Sequence, residues 1–172
     1  MDTVAEEVTR LGAEVLPVRT DVREPDEVRA LMEQVNRHYG RIDVLVNDAG
    51  IVTHFQWGLP RWPKIRDMEP EFFDRVMRTN LFGTFPCVKY ARPYMEAQGS
   101  GHIINLGQGS IRPDAEASIG ACVYHVSKLS IRAFTAEVAA DEREFNICIV
   151  SVGPGSGGGI ATEEAPRRRA AA

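Results

Sequence analysis

The sequence predicts an α/β protein built around a parallel sheet. Helical and strand patterns alternate along the chain, and the strand-like runs at 42–46 and 102–106 are apolar almost throughout. Such continuous apolar runs are typical of strands buried on both faces, as in parallel sheets covered by helices. Ligands of these sheets bind beyond the carboxyl ends of the strands, so we expect functional residues there or on the helices that follow.

Apolar residues at helical spacing predict four helices, and glycine or proline marks several of their ends. The predicted helices cover residues 4–11, 25–39, 70–97 and 124–138. Pro86 and Pro93 lie inside the third helix. We expect them to bend or interrupt it, because proline lacks the N–H that an α-helix uses.

Four short runs predict strands. They cover residues 14–18, 42–46, 102–106 and 146–152. Pro17 indicates a sheet edge or a weakly paired position for the first run, because proline cannot donate a ladder hydrogen bond. The connections at 51–67 and 107–120 are rich in turn-forming residues, so we expect irregular structure there.

Composition excludes several classes of function. The formal net charge of −4 argues against nucleic acid as the main partner, and no apolar run approaches the length of a membrane span. The first residues do not resemble a signal peptide. The three cysteines, Cys87, Cys122 and Cys148, stand far apart in apolar contexts, so we expect reduced core thiols in a cytoplasmic protein. The four histidines show no metal-ligand spacing, and we expect no metal site.

A tyrosine and a lysine four residues apart are the first candidates for a catalytic site. On a helix, Tyr124 and Lys128 would share one face. An ammonium beside a phenol favours the phenolate and lowers the tyrosine pKa. Such a tyrosine can exchange a proton near neutral pH, as the interconversion of an alcohol and a carbonyl requires. The pattern alone is weak, since an amphipathic helix with an ordinary tyrosine and a solvated lysine also shows it.

Four further motifs stand at fitting distances along the chain. They are Asp21-Val22, Asn-Asp-Ala-Gly at 47–50, Asn80, and Pro154-Gly155. Together with Tyr124 and Lys128, and in this order, they resemble the short-chain dehydrogenase/reductase family over residues 1 to about 162. Without the resemblance, Asn80 would be interpreted as a helix-bending polar residue and Asp21 as a capping residue at a strand end.

The resemblance implies a Rossmann-like, doubly wound parallel sheet and a partial NAD(P)-binding domain over 1–162. For residues 163–172, rich in arginine and alanine, we expect a disordered tail. In the family, the helices that correspond to those containing Asn80 and Tyr124 pack against their copies in a partner subunit. The resemblance therefore implies a homo-oligomer.

The resemblance also implies a reaction, the NAD(P)-dependent interconversion of a small alcohol and a ketone. Tyr124 would exchange the proton with the substrate oxygen, Lys128 would lower the tyrosine pKa and bind the nicotinamide ribose, and Asn80 would hold a water. The residues implied to bind the cofactor are Asp21, Val22, Asn47, Ala49, Gly50, Tyr124, Lys128, Pro154 and Gly155. The choice between NAD and NADP stays open, and the aromatic content of 51–67 hints at a hydrophobic substrate.

Three departures from the family pattern set further expectations. The family opens with a strand and a glycine-rich turn that cradles the pyrophosphate at a helix N-terminus. Counterparts of that strand, of the first helix and of the second strand are missing, as are those of the last helix and strand. We therefore expect an incomplete sheet and weak or absent dinucleotide binding. The alternative is a non-catalytic remnant or subunit-interaction module.

The third departure concerns the catalytic serine. Gln108 stands at the usual serine position, and Ser110 follows two residues later. A glutamine amide can donate a hydrogen bond to a carbonyl oxygen, and the hydroxyl of Ser110 could substitute instead, so both stay candidates. Asp48 replaces an asparagine and adds a negative charge near the expected cofactor channel.

Overall fold

Helices and strands alternate along the chain as the sequence pattern predicts. The structure is a computed structural model that describes residues 2–51, 54–108 and 120–153. Its helices are α1 (Asp2–Arg10), α2 (Pro25–Tyr39), α3 (Pro70–Met77), α4 (Gly83–Gln98) and α5 (Cys122–Asp141). Its strands are β1 (Val44–Asn47), β2 (Gly101–Leu106) and β3 (Ile147–Val152). A π-helical stretch, Arg78–Phe82, joins α3 to α4, and short 3₁₀ turns cover His54–Trp57, Ile65–Asp67 and Glu142–Phe145.

The three strands form one parallel sheet in the order β1-β2-β3. Leu45, Ile103 and Ile149 are aligned across it. This row faces the main core, to which α2 contributes Val28 and Met32 and α5 adds Phe134 and Val138. The buried core residues of α4 are Cys87, Val88, Ala91 and Met95. The helices therefore cover one face of the sheet, and the predicted parallel α/β architecture is confirmed in partial form.

The opposite face of the sheet is exposed, which corrects the predicted burial of the strands on both faces. Val46, Ile104 and Val150 are aligned there, and Val46 is 54% and Val150 41% exposed. In the described part of the chain, this face has no helix over it that buries these valines. An apolar pattern on both sides of a strand is typical of a strand that is buried on both faces, and the described residues bury only one face of this sheet.

The predicted strand at 14–18 is wrong. The segment from Ala13 to Thr20 has no strand pairing with the described residues. It is held at the end of α2, where His38 Nε2 lies 2.7 Å from Glu14 Oε1. A strand exists only where a neighbour accepts and donates its ladder hydrogen bonds, and the described residues supply no such neighbour.

Only one of the three cysteines is a core residue. Cys87 is buried, and burial raises the pKa of its thiol to about 11. The prediction of core thiols is wrong for Cys122 and Cys148, which are exposed. Cys148 lies on the exposed face of the sheet, and Cys122 begins α5.

The prolines of α4 do not interrupt it, so the predicted interruption within Gly83–Gln98 is wrong, and a bend at Pro86 or Pro93 stays a prediction. The helix runs from Gly83 to Gln98 through Pro86 and Pro93. The widened turn lies just before it, in the π-helical stretch, where Gly83 N–H donates to Arg78 O. Pro86 has no N–H to donate to the carbonyl of Phe82, so the backbone departs from α-geometry next to that carbonyl.

We predict an alternating pattern of amide exchange along β1. His102 N–H donates to Asp43 O, so residues 43, 45 and 47 direct their backbone groups at β2. The backbone groups of Val44 and Val46 point away from β2, to the other edge of β1. The Ile42 N–H points to the same edge and donates to Gln98 Oε1 at 2.8 Å. Hydrogen exchange followed by NMR should find Val44 and Val46 fast and Leu45 and Asn47 slow. Equally slow exchange at all four would show that another strand covers this edge.

Candidate active site

Helix α5 carries Tyr124 and Lys128 one turn apart, as predicted. The lysine is only 4% exposed, and its Nζ donates to the carbonyl of Leu106 at 2.7 Å. That carbonyl is at the carboxyl end of β2, where the ligands of parallel sheets bind. Burial lowers the pKa of Lys128, and the carboxylate of Asp48 opposes this shift.

The environment of Tyr124 differs from the sequence expectation. Its ring packs at 5.6 Å, centroid to centroid, from the indole of Trp62. The surrounding apolar cluster includes Phe72, Val76 and Val123. Burial raises the pKa of Tyr124, so the expected lowering is wrong for the chain as described. The physical reason is that apolar rings remove water from the phenol while the Lys128 ammonium is bonded to Leu106 O.

Asn80 lies fully buried in the π-helical stretch and connects three parts of the site. Its Oδ1 accepts the N–H of Ile51 at 2.7 Å, and its Nδ2 donates to Ile51 O at 3.1 Å. The same Nδ2 donates to Ser127 Oγ at 3.0 Å, and Ser127 Oγ donates to the carbonyl of Tyr124 at 2.7 Å. The asparagine thus joins the loop after β1 to the helix that carries the tyrosine.

Gly50 lies beside Asn80 in this loop. A Cβ on Gly50 would lie 3.1 Å from Asn80 Oδ1, the atom that accepts the Ile51 N–H. A side chain here would press on that hydrogen bond. Because Gly50 has no side chain, the 47–51 loop can approach the π-helical stretch closely.

A second chain of side-chain hydrogen bonds crosses the sheet at Asn47. Its Nδ2 donates to Asn105 Oδ1 at 2.8 Å, and Asn105 Nδ2 donates to Thr135 Oγ1 at 2.9 Å. Thr135 Oγ1 in turn donates to Ile131 O. The roles of Asn105 and Thr135 were not predicted from the sequence. The sequence signal for their roles is an asparagine at the carboxyl end of each of the two predicted strands. The strand register places Asn47 opposite Asn105.

Asp21 and Val22 border a cleft of about 730 Å³ that Ala49 also lines. The guanidinium and N–H of Arg23 donate to the Asp21 carboxylate and lower its pKa to about 2. Val22 meets the start of α4, since a Cβ on Gly83 would lie 2.6 Å from Val22 Cγ2. The cleft therefore connects Asp21 with the 47–50 loop.

The other predicted site residues divide into two groups. Gln108 is half-buried and follows Gly107, whose added Cβ would lie 3.2 Å from the Lys128 carbonyl. The end of β2 thus brings Gly107, the residue before Gln108, close to the turn of α5 that holds the lysine. Ser110, Pro154 and Gly155 lie outside the described residues, as does the predicted tail at 163–172.

The described residues fit the adenine end and the nicotinamide ribose of a nicotinamide dinucleotide, but not the pyrophosphate between them. The cleft beside Asp21 and Val22 could accept an adenine, and Lys128 could bind a ribose. The chain contains no Thr-Gly-x-x-x-Gly-x-Gly turn to surround a pyrophosphate. Among the described residues, no group of histidine, cysteine and carboxylate side chains could hold a metal, and no helix is long and apolar enough to cross a membrane.

Comparison with known proteins identifies the class. The family model for short chain dehydrogenase matches residues 1–170, so the chain belongs to that family. The order of the five sequence motifs, the parallel sheet and the juxtaposition of Tyr124, Lys128 and Asn80 agree with this assignment.

Particular relatives are reductases and dehydrogenases. The chain is 32% identical to the 3-oxoacyl-[acyl-carrier-protein] reductase FabG of Staphylococcus aureus over 156 residues, which is 90% of this chain and 58% of the relative. It is 28% identical to the versicolorin reductase stcU of Emericella nidulans, over 90% of this chain and 54% of the relative. The chain thus spans less than two thirds of the length of these relatives.

Solved structures show the same fold. A 3-ketoacyl-ACP reductase from Sinorhizobium meliloti superposes with a TM-score of 0.78 at 25% identity, over 90% of this chain and 57% of that one. An NAD⁺-bound xylitol dehydrogenase gives 0.77 at 25% identity, over 89% and 55%. A metagenomic short-chain oxidoreductase in complex with NADP gives 0.76 at 25% identity, over 90% and 66%.

We predict that the phenol of Tyr124 titrates above the ordinary tyrosine range. Because burial raises the pKa, the neutral phenol persists at neutral pH, and stability is lost as alkaline pH ionises the unfolded chain first. Ultraviolet difference titration of the wild type against Tyr124→Phe isolates this group from the other tyrosines. A transition below the ordinary tyrosine value would contradict the prediction.

Proposed function

We propose that this chain carries the catalytic site of an NAD(P)-dependent oxidoreductase that interconverts an alcohol and a carbonyl. The observation that carries the proposal is the arrangement of Tyr124 on α5. Its backbone is anchored to Asn80 through Ser127, and Lys128 lies one turn away at the carboxyl end of β2. These are the residue types and the place in the fold that the family uses for this chemistry.

Tyr124 acts as the acid or base at the substrate oxygen. Because burial raises its pKa, the phenol is protonated at neutral pH. A protonated phenol is the form that donates a proton to the substrate oxygen in the reductive direction. The names of the reductase relatives agree with this direction. A bound NAD or NADP supplies the hydride, and the protein supplies position and electrostatics.

The cofactor contacts belong to the same proposal. Lys128 would bind the nicotinamide ribose and promote loss of the tyrosine proton in the oxidative direction. Asn80 would keep the 47–51 loop in place and hold a water near the lysine. The residues proposed to line the cofactor are Asp21, Val22, Asn47, Ala49, Gly50, Pro154 and Gly155. Dinucleotide binding by the 172-residue chain should be weak, since it lacks the glycine-rich turn whose N–H groups bind the pyrophosphate.

The third catalytic group is Gln108 or Ser110. Gln108 follows Gly107, which lies against the Lys128 turn of α5, and we propose that its amide donates to a developing oxyanion. The hydroxyl of Ser110 would perform the same role. The substrate that these groups would bind is a hydrophobic alcohol or ketone, because the apolar cluster that contains Trp62 and Phe72 packs against Tyr124.

The second candidate function is a non-catalytic subunit-interaction module. The exposed face of the sheet and the unpaired edge of β1 favour it, since both are surfaces that an additional polypeptide could cover. In this case the bond from Lys128 to Leu106 O would be purely structural.

Turnover tests the proposal. With millimolar NADH or NADPH and a hydrophobic ketone, the chain should oxidise the cofactor, and Tyr124→Phe should reduce the rate about a hundredfold or more. Tyr39→Phe is the matched control, because this tyrosine is at the exposed end of α2. Equal rates in wild type and Tyr124→Phe would refute the proposed role of Tyr124. A folded wild type without turnover would favour the second candidate.

We also propose that the chain forms a homo-oligomer through the helices that contain Asn80 and Tyr124. A cleft of about 540 Å³ lies between them, lined by Leu81, Phe82, Phe85 and Phe134. Phe82 is 40% and Phe85 44% exposed, which is apolar surface that a second copy would bury. Sedimentation velocity at tens of micromolar should show a dimer or larger species, which Phe85→Glu should dissociate. A monomer in the wild type would contradict this.

A further inference from the structure

Arg19 is a charged residue that the proposed chemistry leaves unused. It lines the cleft of about 730 Å³ beside Asp21, together with Thr20, Gln34 and Ala49. Among the residues that the structure describes, its guanidinium has no ion pair and no hydrogen bond. A guanidinium carries five N–H donors, and those of Arg19 are therefore free to bind a ligand in this cleft.

Two arginines near the cleft are paired with carboxylates, which distinguishes them from Arg19. Arg23 donates to the carboxylate of Asp21, and Arg29 donates to that of Asp26. The bonds between Arg23 and Asp21 compensate both of those charges. Arg19 is the one basic residue in the described lining of the cleft, and its positive charge stays uncompensated. An anionic group of a ligand would therefore be attracted to this side chain.

Glu27 is the acidic residue that opposes this charge in the lining of the same cleft. In dinucleotide sites a carboxylate binds the ribose 2′-hydroxyl of NAD, whereas an arginine accommodates the 2′-phosphate of NADP. The two side chains thus favour different cofactors. Glu27 Oε2 already accepts the backbone N–H of Asp21 at 2.8 Å, so this carboxylate is partly occupied. Because all the donors of Arg19 are free, the balance favours the phosphate.

We propose that Arg19 is a specificity-determining residue that selects NADP over NAD by binding the 2′-phosphate of the adenosine. The inference rests on the proposed function, which places the adenine in the cleft beside Asp21 and Val22. The cleft volume lies within the range of small-molecule sites, about 300–1,000 Å³. A guanidinium binds a phosphate through two parallel hydrogen bonds, which fix the position of the phosphate and compensate its charge.

The three isomers of adenosine monophosphate test the inference, because they differ only in the position of the phosphate. 2′-AMP carries the phosphate that distinguishes NADP from NAD, and 5′-AMP carries the phosphate that both cofactors share. 3′-AMP carries the ribose phosphate of coenzyme A. NMR titration of the 172-residue chain should give a dissociation constant about tenfold lower for 2′-AMP than for either other isomer, as a charge-assisted hydrogen bond would produce. The amide signals of residues 18–22 and Ala49 should shift on binding.

Substitutions in the cleft test whether the preference for 2′-AMP comes from Arg19. Arg19→Gln should abolish it, and Arg19→Lys should retain part of it, since an ammonium keeps the charge without the planar fork. Glu27→Gln should strengthen it by removing the opposing charge. Arg37→Gln is the matched control, because this exposed arginine in the last turn of α2 lies outside the lining of the cleft. A preference that survives in Arg19→Gln would overturn the inference.

The outcomes separate the inference from the proposed function. Equal binding of the three isomers, or tighter binding of 3′-AMP or 5′-AMP, would overturn the selection of NADP and leave the adenosine site in the cleft standing. Failure of all three to bind, or binding without shifts at 18–22 and Ala49, would overturn both. Without ligand, Arg19→Gln should leave the thermal midpoint unchanged, because the exposed side chain has no partner in the described part of the chain. A lowered midpoint would show that the guanidinium is bonded within the protein and would overturn the inference.

Discussion

The site depends on the hydrogen bonds of one buried amide, that of Asn80. Its oxygen and nitrogen pair with the N–H and carbonyl of Ile51 as a neighbouring strand would, and its nitrogen also reaches Ser127. Asn80 and Ser127 are fully buried, so an unmade bond between them would cost about 1–3 kcal/mol. The amide thereby fixes the loop after β1 against the helix that carries Tyr124 and Lys128. The π-helical backbone at Asn80 is the local irregularity that accompanies this function.

The strands are patterned for burial on both faces, whereas the described residues cover only one face of the sheet. One row of side chains is buried under α2, α4 and α5, while the opposite row keeps valines about half exposed. The segment at 14–18 has strand-like composition and no strand partner. Both features agree with relatives whose chains are substantially longer than the part matched here.

Among the described residues, the sequence predicted the fold class, the α-helical segments with α3 and α4 as one helix, and the three strands, because periodicity and caps are local signals. It did not predict the π-helical break between α3 and α4. The resemblance to the family, and not the spacing alone, predicted that Tyr124, Lys128 and Asn80 share one site. The sequence pattern failed for 14–18 and for the exposed face of the sheet, because pairing and cover depend on distant segments. The hydrogen bonds from Asn47 to Asn105 and from Asn105 to Thr135 were not predicted either, because they depend on the register between the strands.

Electrostatics was the least predictable part of the site. A lysine four residues from a tyrosine predicts a lowered tyrosine pKa, yet apolar rings raise the pKa of Tyr124. Burial also lowers the pKa of Lys128, whose ammonium is bonded to Leu106 O. The balance between desolvation and a neighbouring charge depends on three-dimensional surroundings that spacing alone does not contain.

The central claim is that Asn80 positions the tyrosine helix through Ser127. A double-mutant cycle on the free energy of unfolding, with Asn80→Ala, Ser127→Ala and the double variant, measures that link directly. The account predicts a coupling free energy of about 1–2 kcal/mol, as expected for a buried side-chain pair within one hydrogen-bond network. Additive single effects, with a coupling near zero, would contradict it.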